Sequence, residues 1–346
     1  MAAGEQRNSS IELLRILAML MIVAGRFLCQ SGAAAAHGGF AVSLFGSGAR
    51  WACNLFLLVG CWFMVDAPFR PRRIVRLYLT VLSYTLPLTV VAIVCGASPS
   101  TKDVMRGFLP FTGRALWFAS AYISLMLLAP WLNRVLELPR RSFAKLLLVM
   151  TVLLPGVCTL PDPQTCYAID VAWFVYVYLA VGFVKRNCSL PDGKAWMAGC
   201  LLLGLGIYAG LVAVSCGTFM GFASSWAGQC LSDFKTLPNF LSATLVFCFF
   251  VKLDIGRIGW LNGLARPAFA VYLFHQTPAF FPFLWSRICR VGDWVDSPHW
   301  AACSLAVVVG VYAAVMMLDS VRRHLATAAV HVIGAPPRWL LAWFEA

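Results

Sequence analysis

Charge is what this chain has least of. Only 12% of its 346 residues are charged, and Asp and Glu together number 14. No polar stretch between apolar runs exceeds roughly two dozen residues, whereas an independent soluble domain usually needs at least about 50. An attached soluble domain is therefore not expected, and residues 1–346 read as a single membrane domain. Recognisable chemistry motifs are missing too: there is no P-loop, no serine-hydrolase elbow and no zinc-ligand spacing. No metal site is expected. A cation relay also lacks its parts, since no pair of carboxylates lies within the apolar runs. The thirteen cysteines include no CxxC pair and sit mostly in apolar runs, where they read as small buried hydrophobes. Cys216 and Cys230 flank one expected outer loop, and the sequence leaves a disulfide between them open.

What the chain does have is hydrophobic length. A hydrophobic fraction of 61% and a mean hydropathy of +0.80 exclude an ordinary soluble domain and indicate an all-α, polytopic integral membrane protein. At roughly 17 to 25 residues per span, ten transmembrane helices are expected: 12–30, 42–65, 74–96, 115–135, 143–160, 168–185, 195–216, 237–253, 267–286 and 300–319. The turn-forming Pro161, Asp162 and Pro163 separate the fifth from the sixth. A formal charge of +13 raises nucleic acid as a partner, but the basic residues fall mostly in short loops, where topology explains them. No nucleic-acid partner is expected. Alternate loops are basic and depleted, with 18 of the 27 Lys and Arg on the inner side when both termini are cytoplasmic. Arg7, the first apolar run and Ala33–Ala36 imitate a signal peptide, yet many spans follow, and cleavage would discard the two charges most in need of a reason. The tail, 320–346, reads as a cytoplasmic amphipathic segment broken at Pro336 and Pro337. Trp339, Trp343 and Phe344 are expected at the lipid headgroups.

Those two charges are Arg15 and Arg26, in the stretch Asn8 to Gln30. A charge inside a membrane helix costs roughly 2.5 to 3.5 kcal/mol at its centre. Eleven positions at about 100° each bring Arg26 to within roughly 20° of Arg15, about 16 Å further along the same face. Glu12 and Arg15 admit two readings: an interfacial pair one turn apart, or an anion site near the cytoplasmic mouth, for which guanidinium offers a fork of donors. Arg26 lies too deep to snorkel inward. In the ninth stretch, His275 follows Tyr272 and precedes Gln276. It is either an interhelical hydrogen-bonding residue or a general acid or base with a pKa near neutrality. Pro278 and Pro282 kink the chain beyond it. Trp117, Phe118 and Tyr122 suit an aromatic belt, with Arg114 as its snorkelling flank. Asn54 needs an interhelical partner in lipid, and Gly60 permits close approach.

Four stretches taken together carry a family likeness: RNSSIELLRILAMLMIVAGRF at 7–27, CNLFLLVGCWFMVDAPFRPRRIVRLYL at 53–79, LPFTGRALWFASAYISLMLLAPWLN at 109–133, and NGLARPAFAVYLFHQTP at 262–278. In this order and spacing the chain resembles the integral-membrane acyltransferase 3 family, of the short membrane-only type. It is also similar to the membrane half of certain membrane-bound serine racemases. The resemblance implies ten or so helices around a cavity in a multi-pass plasma-membrane protein. It implies acetyl-CoA or another acyl-CoA as donor from the cytoplasm, and as acceptor a hydroxyl of an envelope glycan or lipid-linked carbohydrate. Arg15, with Glu12 beside it, matches the donor-contacting position, and His275 matches a late-helix histidine; Trp117, Tyr122, Tyr272 and Asn54 are the candidate substrate-binding residues. One departure stands out. Eleven positions after its motif arginine the family has a histidine proposed to activate the acceptor, and here that position is Arg26. Arginine stays protonated in proteins, so Arg26 cannot act as that base. Either another group does so, with His275 the leading candidate and Arg26 an electrostatic element, or the chain is a degenerate relative that binds or translocates an envelope lipid or anionic ligand.

Overall fold

The computed structural model describes residues 8–109, 111, 116–161, 169–217 and 221–333. Arg114, the turn at Asp162 and Pro163, and the tail residues Pro336, Pro337, Trp339, Trp343 and Phe344 lie outside the described residues. In chain order the principal helices are α1 (Ser9–Gln30), α2 (Phe40–Met64), α3 (Pro71–Val94), α4 (Thr101–Phe108), α5 (Trp117–Val135), α6 (Arg140–Thr151), α7 (Asp170–Asn187), α8 (Lys194–Cys216), α9 (Gly221–Ser232), α10 (Leu237–Lys252), α11 (Gly259–Ala265), α12 (Ala268–Gln276) and α13 (Trp300–Ile333). No strand occurs among the described residues. Each of the ten apolar stretches holds helix. By length and composition, four helices among the described residues are long and apolar enough to cross a membrane: α2, α3, α8 and the Trp300–His324 part of α13. Ala223–Ser232 with Leu237–Lys252, bent by 55°, makes a fifth if the pair is one span.

Two expectations are corrected and one open question is answered. The stretch 267–286 is not one kinked helix: α12 ends at Gln276, and after a turn the chain resumes as Phe281–Phe283 and a π-helical turn, Leu284–Ile288. Pro278 and Pro282 lack the N–H groups that would continue the ladder, so the helix breaks where a kink was expected. The last helix does not stop near 319 but runs unbroken to Ile333. The segment after Cys216 includes a helix, α9, in which Cys230 is buried; Cys216 and Cys230 are both free thiols, whereas Cys158 is disulfide-bonded.

The chain forms two compact units, each discontinuous in sequence: Met1–Ala67 with Leu128–Arg266, and Pro68–Leu127 with Pro267–Ala346. In the first, α2 is the centre, packed against α1, α7, α8 and α10. The α1–α2 crossing is tight because Gly25 has no side chain: a Cβ there would stand 2.6 Å from Ala49 Cβ and 2.8 Å from the Gly46 carbonyl oxygen. Small residues at such crossings let helix backbones approach where apolar burial gives no preference between lipid and protein. Asn8 caps α1 by accepting from Ser10 N at 2.9 Å. Ser9 then ties the helix start to the chain beyond α10, donating to Asn262 Oδ1 at 3.0 Å and accepting from Ile258 N at 2.8 Å.

In the second unit α3 packs against α4 and α12, and α12 against α13. Asp319, 4% exposed, is its electrostatic tie. It accepts from Tyr84 Oη of α3 at 2.8 Å and pairs with Arg322 at 2.7 Å and Arg323 at 3.1 Å on its own helix. A buried carboxylate is tolerable when paired and hydrogen-bonded in this way.

Candidate functional site

The expected site residues divide between the units: Glu12, Arg15, Arg26 and Asn54 in the first, Trp117, Tyr122, Tyr272 and His275 in the second.

In the first unit, the helical spacing of Glu12 and Arg15 produces the pair it suggests. Arg15 Nη1 donates to both Glu12 oxygens, at 2.9 and 3.1 Å, and the guanidinium lies 5.9 Å from the centre of the Phe63 ring on α2. The Glu12 side chain is 4% exposed and that of Arg15 23%. A buried carboxylate thus fixes an arginine that still reaches solvent or headgroup, with its Nε and Nη2 N–H groups left for an anion. Arg26, beyond the tight crossing, is half-buried and makes no ion pair among the described residues.

Asn54 is fully buried and serves as a structural link. Its Nδ2 donates to the Phe234 carbonyl at 2.6 Å and to Asn239 Oδ1 at 3.3 Å, and its Oδ1 accepts from Trp173 Nε1 at 3.2 Å. Both N–H groups are committed, which answers the sequence-level need for an interhelical partner and leaves neither for substrate. The joint it serves is the bend between α9 and α10. There Lys235, 8% exposed, lies 3.5 Å from Asp170 and 3.8 Å from Asp233. The Asp233–Lys235 pair is a tertiary feature that the alternation of loop charges does not reveal.

In the second unit the four expected residues do come together, joined by Phe118. Phe118 packs on Trp117 (ring centres 5.7 Å apart), Tyr122 (6.3 Å) and Tyr272 (5.9 Å), and Tyr272 meets His275 edge-on at 6.3 Å. These separations lie in the range of favourable aromatic pairs. His275 is 0% exposed, with Nδ1 2.6 Å from the Val271 carbonyl oxygen one turn earlier. A carbonyl can only accept, so Nδ1 carries the proton, and in the neutral ring Nε2 is the basic nitrogen. Beyond His275 the helix ends, and Thr277 donates its hydroxyl to the Leu273 carbonyl at 2.8 Å. The arrangement holds one ring nitrogen able to take a proton inside an aromatic, water-poor surround.

No group of three His, Cys, Asp or Glu among the described residues could hold a metal ion. Past the break, burial pushes the Cys289 thiol up to about 11, so it is protonated at neutral pH and a poor nucleophile.

With this geometry in place, comparison supplies the class. A family model described as an acyltransferase domain matches residues 8–317, nearly the whole chain. The chain belongs to the acyltransferase 3 family, and with its apolar helices it is a membrane protein of acyltransferase type. No curated protein and no solved structure matches it.

Proposed function

We propose that the protein is a plasma-membrane O-acyltransferase that moves an acyl group, acetyl first among them, from acyl-CoA to a hydroxyl of an envelope carbohydrate or lipid-linked acceptor. The observation that carries this reading is His275: a buried imidazole oriented through Nδ1 by the Val271 carbonyl and surrounded by Trp117, Phe118, Tyr122 and Tyr272. In the proposed step, Nε2 takes the proton of the acceptor hydroxyl as its oxygen attacks the thioester carbonyl. The C–O bond forms, the C–S bond breaks, and the coenzyme A thiolate leaves and takes up a proton. Arg15, fixed by Glu12, is assigned to the donor's phosphates. Tyr272, Tyr122 and Trp117 are assigned to the acceptor. Purified protein supplied with radiolabelled acetyl-CoA and an envelope extract tests the roles. Transfer is expected to fall in His275→Ala and in Arg15→Ala, and transfer that survives both substitutions overturns them.

Arg26 favours a second reading, a relative that binds or translocates an envelope lipid or anionic ligand without acylating it, because a permanent cation stands where the family's motif has a histidine. Arg26→His separates the two. Activity present in the native protein and lost in this variant supports the enzyme with an electrostatic Arg26; activity appearing only in the variant supports the non-catalytic relative.

A further inference from the structure

A second arginine lies at the same helix crossing as Arg26. At the α1–α2 crossing, Gly25 abuts Ala49 and Gly46, and the next residue on each helix after the Gly25–Ala49 contact is an arginine, Arg26 and Arg50. Cys53, one turn beyond Arg50, lies within electrostatic reach of both guanidinium groups. Both arginines are half-buried. Other half-buried arginines have an acid three or four positions away, as Arg15 has Glu12, Arg106 has Asp103 and Arg322 has Asp319, whereas helical arginines without an ion pair among the described residues, such as Arg76, Arg134 and Arg186, are exposed. Arg26 and Arg50 have no such partner among the described residues. Half-buried cations at one crossing of apolar helices are poorly hydrated, and an anion shared between them offsets that cost and any mutual repulsion.

We infer that Arg26 and Arg50 form a phosphate-binding site at the α1–α2 crossing, and that the acceptor or the lipid carrying it is a phosphate ester. Planar guanidinium forks suit phosphate oxygens, which accept paired N–H bonds from them. The site also gives the substituted motif position a task that arginine can perform: it holds the acceptor by its charge. Only the attribution of that phosphate to an acceptor rests on the acyltransferase reading; the site itself does not.

Full-length protein in a phosphate-free maltoside detergent tests this in two arms. Isothermal titration with inorganic phosphate asks whether a free anion binds, and native mass spectrometry with phosphatidic acid against diacylglycerol asks whether a lipid phosphate does. At least one probe is expected to bind, and which one identifies the source. Arg26→Gln and Arg50→Gln are each expected to weaken that binding at least about tenfold. Arg26→Lys and Arg50→Lys, which keep the charge, should retain part of it and guard against simple misfolding, while the exposed Arg141→Gln should match wild type. Binding of neither probe, or binding unchanged in both glutamine variants, overturns the site. Intact phosphate binding without acyl transfer removes the enzyme reading alone; acyl transfer indifferent to both glutamine variants removes the assignment of the phosphate to the acceptor.

Discussion

In the unit formed by Met1–Ala67 and Leu128–Arg266, buried polar groups end on partners. Trp51 Nε1 donates to Ser242 Oγ at 2.9 Å, Ser242 donates to the Gly204 carbonyl at 2.7 Å, and the Tyr208 hydroxyl donates to the Leu44 carbonyl and lies 2.9 Å from Ser47 Oγ. In the unit formed by Pro68–Leu127 and Pro267–Ala346, Thr85 Oγ1, Thr89 Oγ1 and Gln276 Nε2 are buried with no hydrogen-bond partner among the described residues. Such atoms are uncommon in native interiors, and where local rules are broken the cause is often function. The difference sets a satisfied scaffold around α2 apart from the surroundings of His275. The first unit's network fixes α2 among its neighbours, while the second keeps under-satisfied polar groups on α3 and α12, the helix that carries His275.

The largest expected effect tests the chemical side. His275→Ala should lower kcat for acetyl transfer by about 10²- to 10⁴-fold, the usual worth of a positioned general base, measured on the folded fraction because truncating a buried side chain also lowers Tm; a loss explained by unfolding would return His275 to the structural class. Next, Arg15→Ala should raise KM for acetyl-CoA about tenfold or more, since a hydrogen bond to a charged group is worth about 1.5–3 kcal/mol. A fall in kcat at unchanged KM would remove it from donor binding. On the architectural side, Asn54→Leu should cost about 1–3 kcal/mol by stranding Trp173 Nε1 and the Phe234 carbonyl, read as a lower Tm in detergent. Smallest of all, Thr85→Val should fall within about 0.5 kcal/mol of wild type, because its hydroxyl has no bond to lose. A drop as large as that of Asn54→Leu would erase the contrast between the units.

Hydrophobic length made the all-α fold legible, with four or five of the ten expected spans long and apolar enough to cross a membrane among the described residues, and the spacing of Glu12 and Arg15 made their pairing legible, because both are local properties of the chain. Tyr272 and His275 are also local, three apart on one helix. Their meeting with Trp117 and Tyr122 through Phe118 joins residues some 150 positions apart, and here the family resemblance supplied what periodicity could not. The α9–α10 bend was hidden because no proline or charge run marks α9; Asn54, Asn239 and Thr236 hold it through tertiary hydrogen bonds. The break after Gln276 was visible as Pro278 and Pro282, but a sequence shows only that the ladder weakens there, and packing decides whether it bends or stops.

Gly25 sets a mechanical tolerance. With Ala49 Cβ only 2.6 Å from where a methyl would be, α1 rests on α2 as on a gauge block, and any side chain at 25 wedges the two helices apart. The residue after it, Arg26, would ride outward with the backbone. Since a displacement of about 1 Å can cost a site on the order of 10²-fold in rate, position 25 governs the alignment of Arg26 without touching any ligand, and the close α1–α2 contact doubles as its alignment pin.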